Sequence, residues 1–380
     1  MKKCKVGIIG CGMISDAYFN AAKRFRNIEV VACADLLGSR AEEKAQQYNV
    51  RCCTCEELLC DPEIELVINL TPPQAHAQIA KAALNANKHT YSEKPFGVDL
   101  EEARSVMLLA QEKGLQVGCA PDTFLGCGQQ TARKLIDDNW IGKVLSGTAI
   151  VQGRGPEKWG HAPFFYDKGA GPMLDLGPYY VTSLVNLLGP AVSVTAVTGC
   201  SEKFRTFGDT VAENYQDKYK PYDAYPVNVN THQTGVIEFA CGANITFIAS
   251  FEVYRHGHAP IELYGSEGSL QIPDPNTFGG PVKLFRREWP HRDPAEFEFK
   301  EVPMPFAYSS NSRSIGAADM AMAIANQRPH RASGELALHV LEIMLAFDKS
   351  GAEGRKVQLT TSCKRPAALP LGLLDGEIDD

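Results

Sequence analysis

The sequence predicts an α/β chain in two parts: a doubly wound domain on a parallel sheet over residues 1–121, then an α+β domain on a large, mostly antiparallel open sheet over 122–380. Three observations carry this. Over the first part, apolar runs of strand length alternate with amphipathic segments of helix length. A glycine turn, Gly10-Cys11-Gly12, closes the first of those runs and leads into a helical pattern. Beyond Pro121, strand-like runs follow one another without intervening helices.

In chain order, the first part offers strands at Lys5–Ile9, Glu29–Ala34, Leu66–Leu70, His89–Ser92 and Gln116–Cys119. Helical patterns over Ile14–Arg24, Arg40–Tyr48, Ala75–Asn85 and Leu100–Lys113 separate them, the last with Leu100, Ala103, Val106, Met107 and Ala110 on one face. The second part opens with a helix over Gln129–Asn139. Val236–Ala240 and Asn244–Phe251, joined around Cys241-Gly242, read as a hairpin, as do Ile261–Tyr264 and Ser269–Ile272 around Gly265-Ser266-Glu267-Gly268. Helices over Ser314–Asn326 and Ser333–Lys349 follow, and Asp375–Asp380 reads as a frayed acidic tail.

Composition limits the function classes. Lys and Arg number 38 against 45 Asp and Glu, a net charge of −7 that offers nothing to a phosphate backbone, so no nucleic-acid partner is expected. No run of apolar residues is long enough to span a membrane, and Met1–Lys5 leads into too short an apolar stretch for a signal peptide. Twelve cysteines scattered through apolar segments read as reduced thiols of a cytoplasmic protein. The dense run Cys52, Cys53, Cys55 and Cys60 holds one CxxC without a second pair, so it reads as a short strand and a helix turn and no metal is expected.

Gly10-Cys11-Gly12-Met13-Ile14-Ser15 has the dinucleotide fingerprint, with Ser15 as the third small residue. The first glycine makes the turn and the second lets backbone approach a pyrophosphate. Gly10, Gly12, Met13 and Ile14 then line the phosphate site at a helix N-terminus. Asp35 ends the second strand, where a carboxylate bonds ribose hydroxyls and favours NAD, although Ser39-Arg40 leaves NADP open. Asn69-Leu70-Thr71-Pro72-Pro73-Gln74-Ala75-His76 and Ser92-Glu93-Lys94-Pro95-Phe96 stand at the C-terminal ends of two further strands, the edge at which such sheets bind ligands. Thr71, Pro72, His76, Glu93 and Lys94 therefore join the cofactor set.

Taken with the glycine turn, these runs resemble the Gfo/Idh/MocA oxidoreductases, as does Gly169-Ala170-Gly171-Pro172-Met173-Leu174-Asp175-Leu176-Gly177-Pro178-Tyr179 in the second part. The resemblance covers essentially the whole chain. It implies a Rossmann domain and a catalytic lysine at Lys94. Asp175 and Tyr179 are the other catalytic candidates; if Asp175 caps a helix, Pro178 falls in its first turn. Many relatives carry histidine where this chain has Tyr179, which changes the proton-transfer group without removing it. A phenol needs help to act as a base, which the Lys94 ammonium could supply, and His161 is the rival base. The aromatic loop Arg154–Lys168, with Trp159, His161 and Tyr166, suits the faces of a sugar, although core packing explains the same residues. Cys119–Phe124 departs from the Asn and Arg common in relatives, leaving substrate class open.

The reading is a nicotinamide-dependent dehydrogenase for a hydroxyl of a sugar, polyol or glycoside. A redox-neutral glycoside hydrolase or lyase that regenerates its own NAD, and a sensor without chemistry, are the alternatives. A homodimer or homotetramer is expected, because the open sheet has a face this chain lacks helices to cover.

Overall fold

The computed structural model describes residues 3–289 and 297–379. Met1, where the expected N-terminal segment begins, and Asp380, the last residue of the expected tail, lie outside them. Six parallel strands form the first sheet: Cys4–Ile9 (β1), Ile28–Ala34 (β2), Arg51–Cys52 (β3), Leu66–Asn69 (β4), His89–Ser92 (β5) and Val117–Cys119 (β6). Their order is β3-β2-β1-β4-β5-β6. Helices on both faces explain why β4 is buried at every position and reads as an unbroken apolar run. The order reverses between β1 and β4, which opens a crevice at their C-terminal ends.

The helices Ser15–Ala22, Gly38–Tyr48, His76–Asn85 and Leu100–Lys113 fall where the periodicity puts them. The last is capped by Asp99, whose carboxylate accepts the Glu102 N–H at 2.9 Å, and stops at Gly114 in the left-handed region. The cysteine run forms β3 and a helix, Cys55–Cys60, started by a capping box between Thr54 and Glu57. None of the twelve cysteines forms a disulfide.

The second sheet is mixed and mostly antiparallel. From one edge it runs Lys300–Glu301, Lys283–Arg286, Gly268–Ile272, Ile261–Gly265, Val144–Gln152, Asn244–Ser250, His232–Phe239, Ala191–Gly199 and Val357–Gln358. Both hairpins are present, with Leu263 opposite Leu270 and Ile237 opposite Ile245, all four buried on the helix-covered face. The Val144–Gln152 strand lies parallel to Asn244–Ser250. A separate ribbon, Phe204–Thr206 with Ala224–Pro226, closes a small aromatic core around Tyr166, Phe207, Tyr225 and Phe251.

The helix Gly334–Glu353 packs against the second sheet and also against β6, so one rod about 30 Å long ties the two sheets together. Ser333 caps it by accepting the Leu336 N–H. The helix Ile315–Ala325 packs on β6 and on the helix Ser15–Ala22, although it follows the second sheet in the chain.

The expectation of a frayed tail is overturned. The acidic end is docked, because its carboxylates meet arginines of the first domain and of the segment after the helix Ile315–Ala325. Asp375 pairs with Arg24, Glu377 with Arg26 at 3.3 Å and Asp379 with Arg328 at 2.7 Å, while Ile378 is buried between them. No described helix is long and apolar enough to cross a membrane.

Candidate active site

The crevice begins at the glycine turn. Gly10 has φ +104°, and a Cβ there would stand 2.6 Å from the Leu70 carbonyl carbon, so only glycine fits against β4. A Cβ on Gly12 would meet nothing within 4 Å, which leaves its backbone open to a ligand. Ser15 is fully buried and donates its hydroxyl to the Gly12 carbonyl at 2.7 Å, while Ile14, half-buried, stands at the start of the helix. Asp35 accepts the Cys11 N–H at 2.7 Å and the Leu37 N–H at 2.8 Å, which aims its carboxylate at the turn with acceptor capacity left on each oxygen. Around it Met13 (73%), Leu36 (96%) and Leu37 (51%) hold large apolar side chains in water. An open phosphate cradle, an oriented carboxylate and apolar side chains beside it fit a dinucleotide. Arg40 is exposed in the first turn of Gly38–Tyr48.

Beyond β4, Thr71 donates its N–H and its hydroxyl to the Asn69 side chain, and Pro72 is exposed at the crevice rim. His76 is buried, with Nδ1 2.7 Å from the Pro95 carbonyl and Nε2 2.7 Å from the Thr71 carbonyl. It thereby joins the two crevice loops instead of facing a ligand. Burial pushes its pKa down, against the pull of those carbonyls. Glu93 is also turned inward: one oxygen accepts the Tyr18 hydroxyl at 2.7 Å and the other the Lys94 N–H at 2.8 Å.

Lys94 follows β5, and its peptide bond to Pro95 is cis. Its ammonium reaches across the crevice to the second domain, 2.7 Å from Asp175 Oδ1 and 2.6 Å from the Asp175 carbonyl oxygen. Burial opposes that charge, but Asp175, with Tyr179 and Glu93, outweighs it and holds the ammonium above its usual pKa. Asp175 does not cap a helix as expected. It ends a short helix, Gly171–Asp175, and Leu176 begins the next, Gly177–Leu188, with Pro178 in its first turn. The break frees the Asp175 carbonyl and carboxylate together to face Lys94. Gly169, at φ +91°, lets this segment pass Val98 of the first domain, whose methyl would lie 2.6 Å from a Cβ.

Tyr179 is buried beside them. Lys94 Nζ lies over its ring, 5.3 Å from the centroid, and not at its hydroxyl. The hydroxyl belongs to Arg313, which hydrogen-bonds it and is itself steadied by Asn311 and Asn276, each at 3.1 Å. Burial raises the phenol pKa, while Lys94 and Arg313 pull it back toward neutrality. Sequence reasoning missed Arg313. It lies in a polar loop, Ser309–Ser314, far along the chain, and no motif marks it. It missed Asp122 as well, a carboxyl that burial raises to about 6, facing Arg313 and Glu93 and accepting the Gly316 N–H.

On the far side of Asp175 a cavity of about 630 Å³ is walled by Gly153, Arg154, Lys158, Trp159, Leu176 and their neighbours. Trp159 is 58% exposed there. Tyr166 is not on this wall: it is wholly buried against Tyr225 and Phe251, because the aromatic run supplies the small core of the second domain. His161 is half-buried at the start of the short helix Ala162–Tyr166, and among the described residues its imidazole bonds neither Lys94 nor Tyr179. Among the described residues no group of three or more His, Cys, Asp or Glu could hold a metal ion.

Residues 4–120 match the model of an oxidoreductase family with an NAD-binding Rossmann fold, and residues 129–271 match the GFO/IDH/MocA C-terminal domain. An uncharacterized oxidoreductase of Schizosaccharomyces pombe is 28% identical over 355 residues, 87% of this chain and 92% of that protein. The inositol 2-dehydrogenase/D-chiro-inositol 3-dehydrogenase of Lactiplantibacillus plantarum is 34% identical over 152 residues, 37% of this chain and 42% of its own length. A levoglucosan dehydrogenase, solved with NADH and levoglucosan, shares the fold with a TM-score of 0.78 at 22% identity, over 95% of this chain and all of that one.

Proposed function

Because the chain belongs to the Gfo/Idh/MocA oxidoreductase family, we propose that it moves hydride between NAD and a CH–OH group of a sugar or polyol. The observation that carries this is the meeting of Lys94, Asp175 and Tyr179 across the crevice that the glycine turn opens. Gly10, Gly12, Met13, Ile14 and Asp35, with Thr71 and Pro72 at the rim, would hold the cofactor; Asp35 would repel a 2′-phosphate, which favours NAD. NAD, when bound, supplies the hydride acceptor. The rest is done by side chains. Lys94 binds the reacting hydroxyl and stabilises the alkoxide as it forms. Tyr179, as its phenolate, takes the hydroxyl proton; the Lys94 and Arg313 charges favour that phenolate and offset part of the rise that burial imposes on its pKa. Asp175 fixes the ammonium and accepts from a neighbouring hydroxyl. The names of relatives that act on inositol and levoglucosan support a polyhydroxylated substrate.

Self-association is part of this reading. Val197 (69%), Val236 (37%) and Tyr264 (37%) stand exposed on the outer face of the second sheet, as in a homodimer or homotetramer. Twelve cysteines outside any disulfide support a cytoplasmic setting.

Nicotinamide absorbance with a panel of sugars, inositols and glycosides, beside Lys94→Met, tests the proposal. Reduction with one substrate class, lost in the variant, supports it. Normal turnover by the variant overturns the mechanism, and product without net reduction replaces it with a redox-neutral one.

A further inference from the structure

The cavity beyond Asp175 is larger than one reacting carbon needs, and Asp175, the partner of Lys94, forms part of its wall, so the cavity adjoins the candidate catalytic centre. Resting on the dehydrogenase reading above, we infer that this cavity is a second saccharide subsite. The substrate is then a neutral two-ring glycoside, with one ring oxidised at Lys94 and Tyr179 and the other laid on Trp159.

Trp159 is the platform. Large aromatic side chains usually hide most of their surface, yet this one is 58% exposed inside a cavity. It is not loosely held. Its main-chain N–H donates to the Pro156 carbonyl at 2.8 Å, the main-chain carbonyl of Gly160 accepts the Ala212 N–H at 3.0 Å, and Phe165 packs edge-on against the indole at 5.4 Å between centroids. An indole fixed in place with its surface in water is preorganised for the apolar face of a sugar ring.

The charges on the wall argue for a neutral ligand. Arg205 is paired with Glu157 at 3.0 Å, Arg154 with Glu202 at 3.1 Å, and Asp175 with Lys94. Of the charged residues on this wall, Lys158, exposed, is the one with no ion pair to another described residue. Paired ions still offer donors and acceptors to hydroxyls, but they leave little net field to select an anion. The wall therefore suits hydroxyl groups better than a carboxylate or phosphate.

The test compares kcat/KM for cellobiose, maltose, lactose and trehalose with glucose, galactose and glucuronate, using the full chain with added NAD, in the native protein, Trp159→Ala and Trp159→Phe. At least one disaccharide should exceed its monosaccharide tenfold or more. Trp159→Ala should remove that advantage through KM, because the second ring is held alike before and during reaction, and Trp159→Phe should keep most of it. Monosaccharides turned over as well as disaccharides, a preference for glucuronate, or an equal loss on both sugar sizes in Trp159→Ala would overturn the subsite while leaving the dehydrogenase standing. If the native protein reduces NAD with an inositol but with none of these sugars, and no disaccharide quenches tryptophan emission in a way that Trp159→Phe abolishes, the subsite falls alone; if it reduces NAD with neither inositols nor these sugars, the dehydrogenase reading and the subsite fall together.

Discussion

The Lys94 ammonium and the Asp175 carboxylate, 2.7 Å apart, are the point at which the two domains exchange charge across the crevice. Each is mostly withdrawn from water, with 16% and 21% of the side chain exposed, so the pair is preorganised before substrate arrives. On the proposed reading, a reacting hydroxyl beside it would meet a fixed cation whose position depends on both domains.

Lys94→Met should lower kcat/KM by about 10²–10⁴, the range for loss of a positioned polar catalyst. Steady-state nicotinamide absorbance measures it. A loss of less than threefold would mean that Lys94 does not touch the reacting hydroxyl.

Arg313 acts through Tyr179, so its signature is a displaced pH profile. Removing the guanidinium in Arg313→Met should raise the phenol pKa, because burial then acts with only Lys94 opposing it. The limb on which kcat rises with pH should move about one unit upward, with KM for NAD unchanged. An unmoved limb would assign Arg313 to packing alone.

Asp35→Ser should narrow the preference for NAD over NADP by about tenfold or more, since a ribose hydroxyl acceptor that repels phosphate is lost. The same change removes the acceptor for the Cys11 and Leu37 N–H groups, at roughly 1 kcal/mol each. The ratio of kcat/KM values for the two cofactors reads the first effect and urea unfolding the second.

Two buried groups give stability opposed dependences on pH. Asp122 is raised from 3.8 to about 6, so what it contributes is full below pH 4 and lost as pH rises through 6, on the order of 3 kcal/mol. His339, fully buried and accepting the Ala191 N–H, is lowered from 6.5 to about 4; its contribution is present above pH 6.5 and lost as pH falls toward 4. In Asp122→Asn the acid loss due to His339 is no longer offset. Unfolding free energies between pH 4 and 6 should therefore fall more steeply with acid than in the native protein.

Asp319 is wholly buried between Arg331 and Arg328. Asp319→Ala leaves both guanidinium groups without it and should cost about 3–5 kcal/mol in urea unfolding. A cost below 1 kcal/mol would show that Asp379 alone suffices to hold them.

The sequence made the fold legible where information is local. The period of two in Ile261–Tyr264 and the glycine turn after Ile9 describe their own neighbourhoods, and both elements stand where they were expected. Lys94, Asp175 and Tyr179 could be singled out because each sits in a short motif. Arg313 could not be, since only the folding of its loop against the helix Gly177–Leu188 brings it to Tyr179. Tyr166 was misplaced for a different reason: an aromatic run reads the same on a ligand wall and in a core. Asp175 looked like a helix cap because Pro178 follows three residues later, and nothing local shows that Leu176 splits the helix in two.

The docked carboxylates at the chain's end bear on the order of synthesis. Arg24 and Arg26 leave the ribosome 351 residues ahead of their partners Asp375 and Glu377. The helix Ile315–Ala325, which covers β6, is also late. A nascent chain can therefore collapse its first sheet early but must wait, with one flank bare, until the rest has been made. That interval is when the protein is most exposed to aggregation, and the part at risk is its cofactor domain.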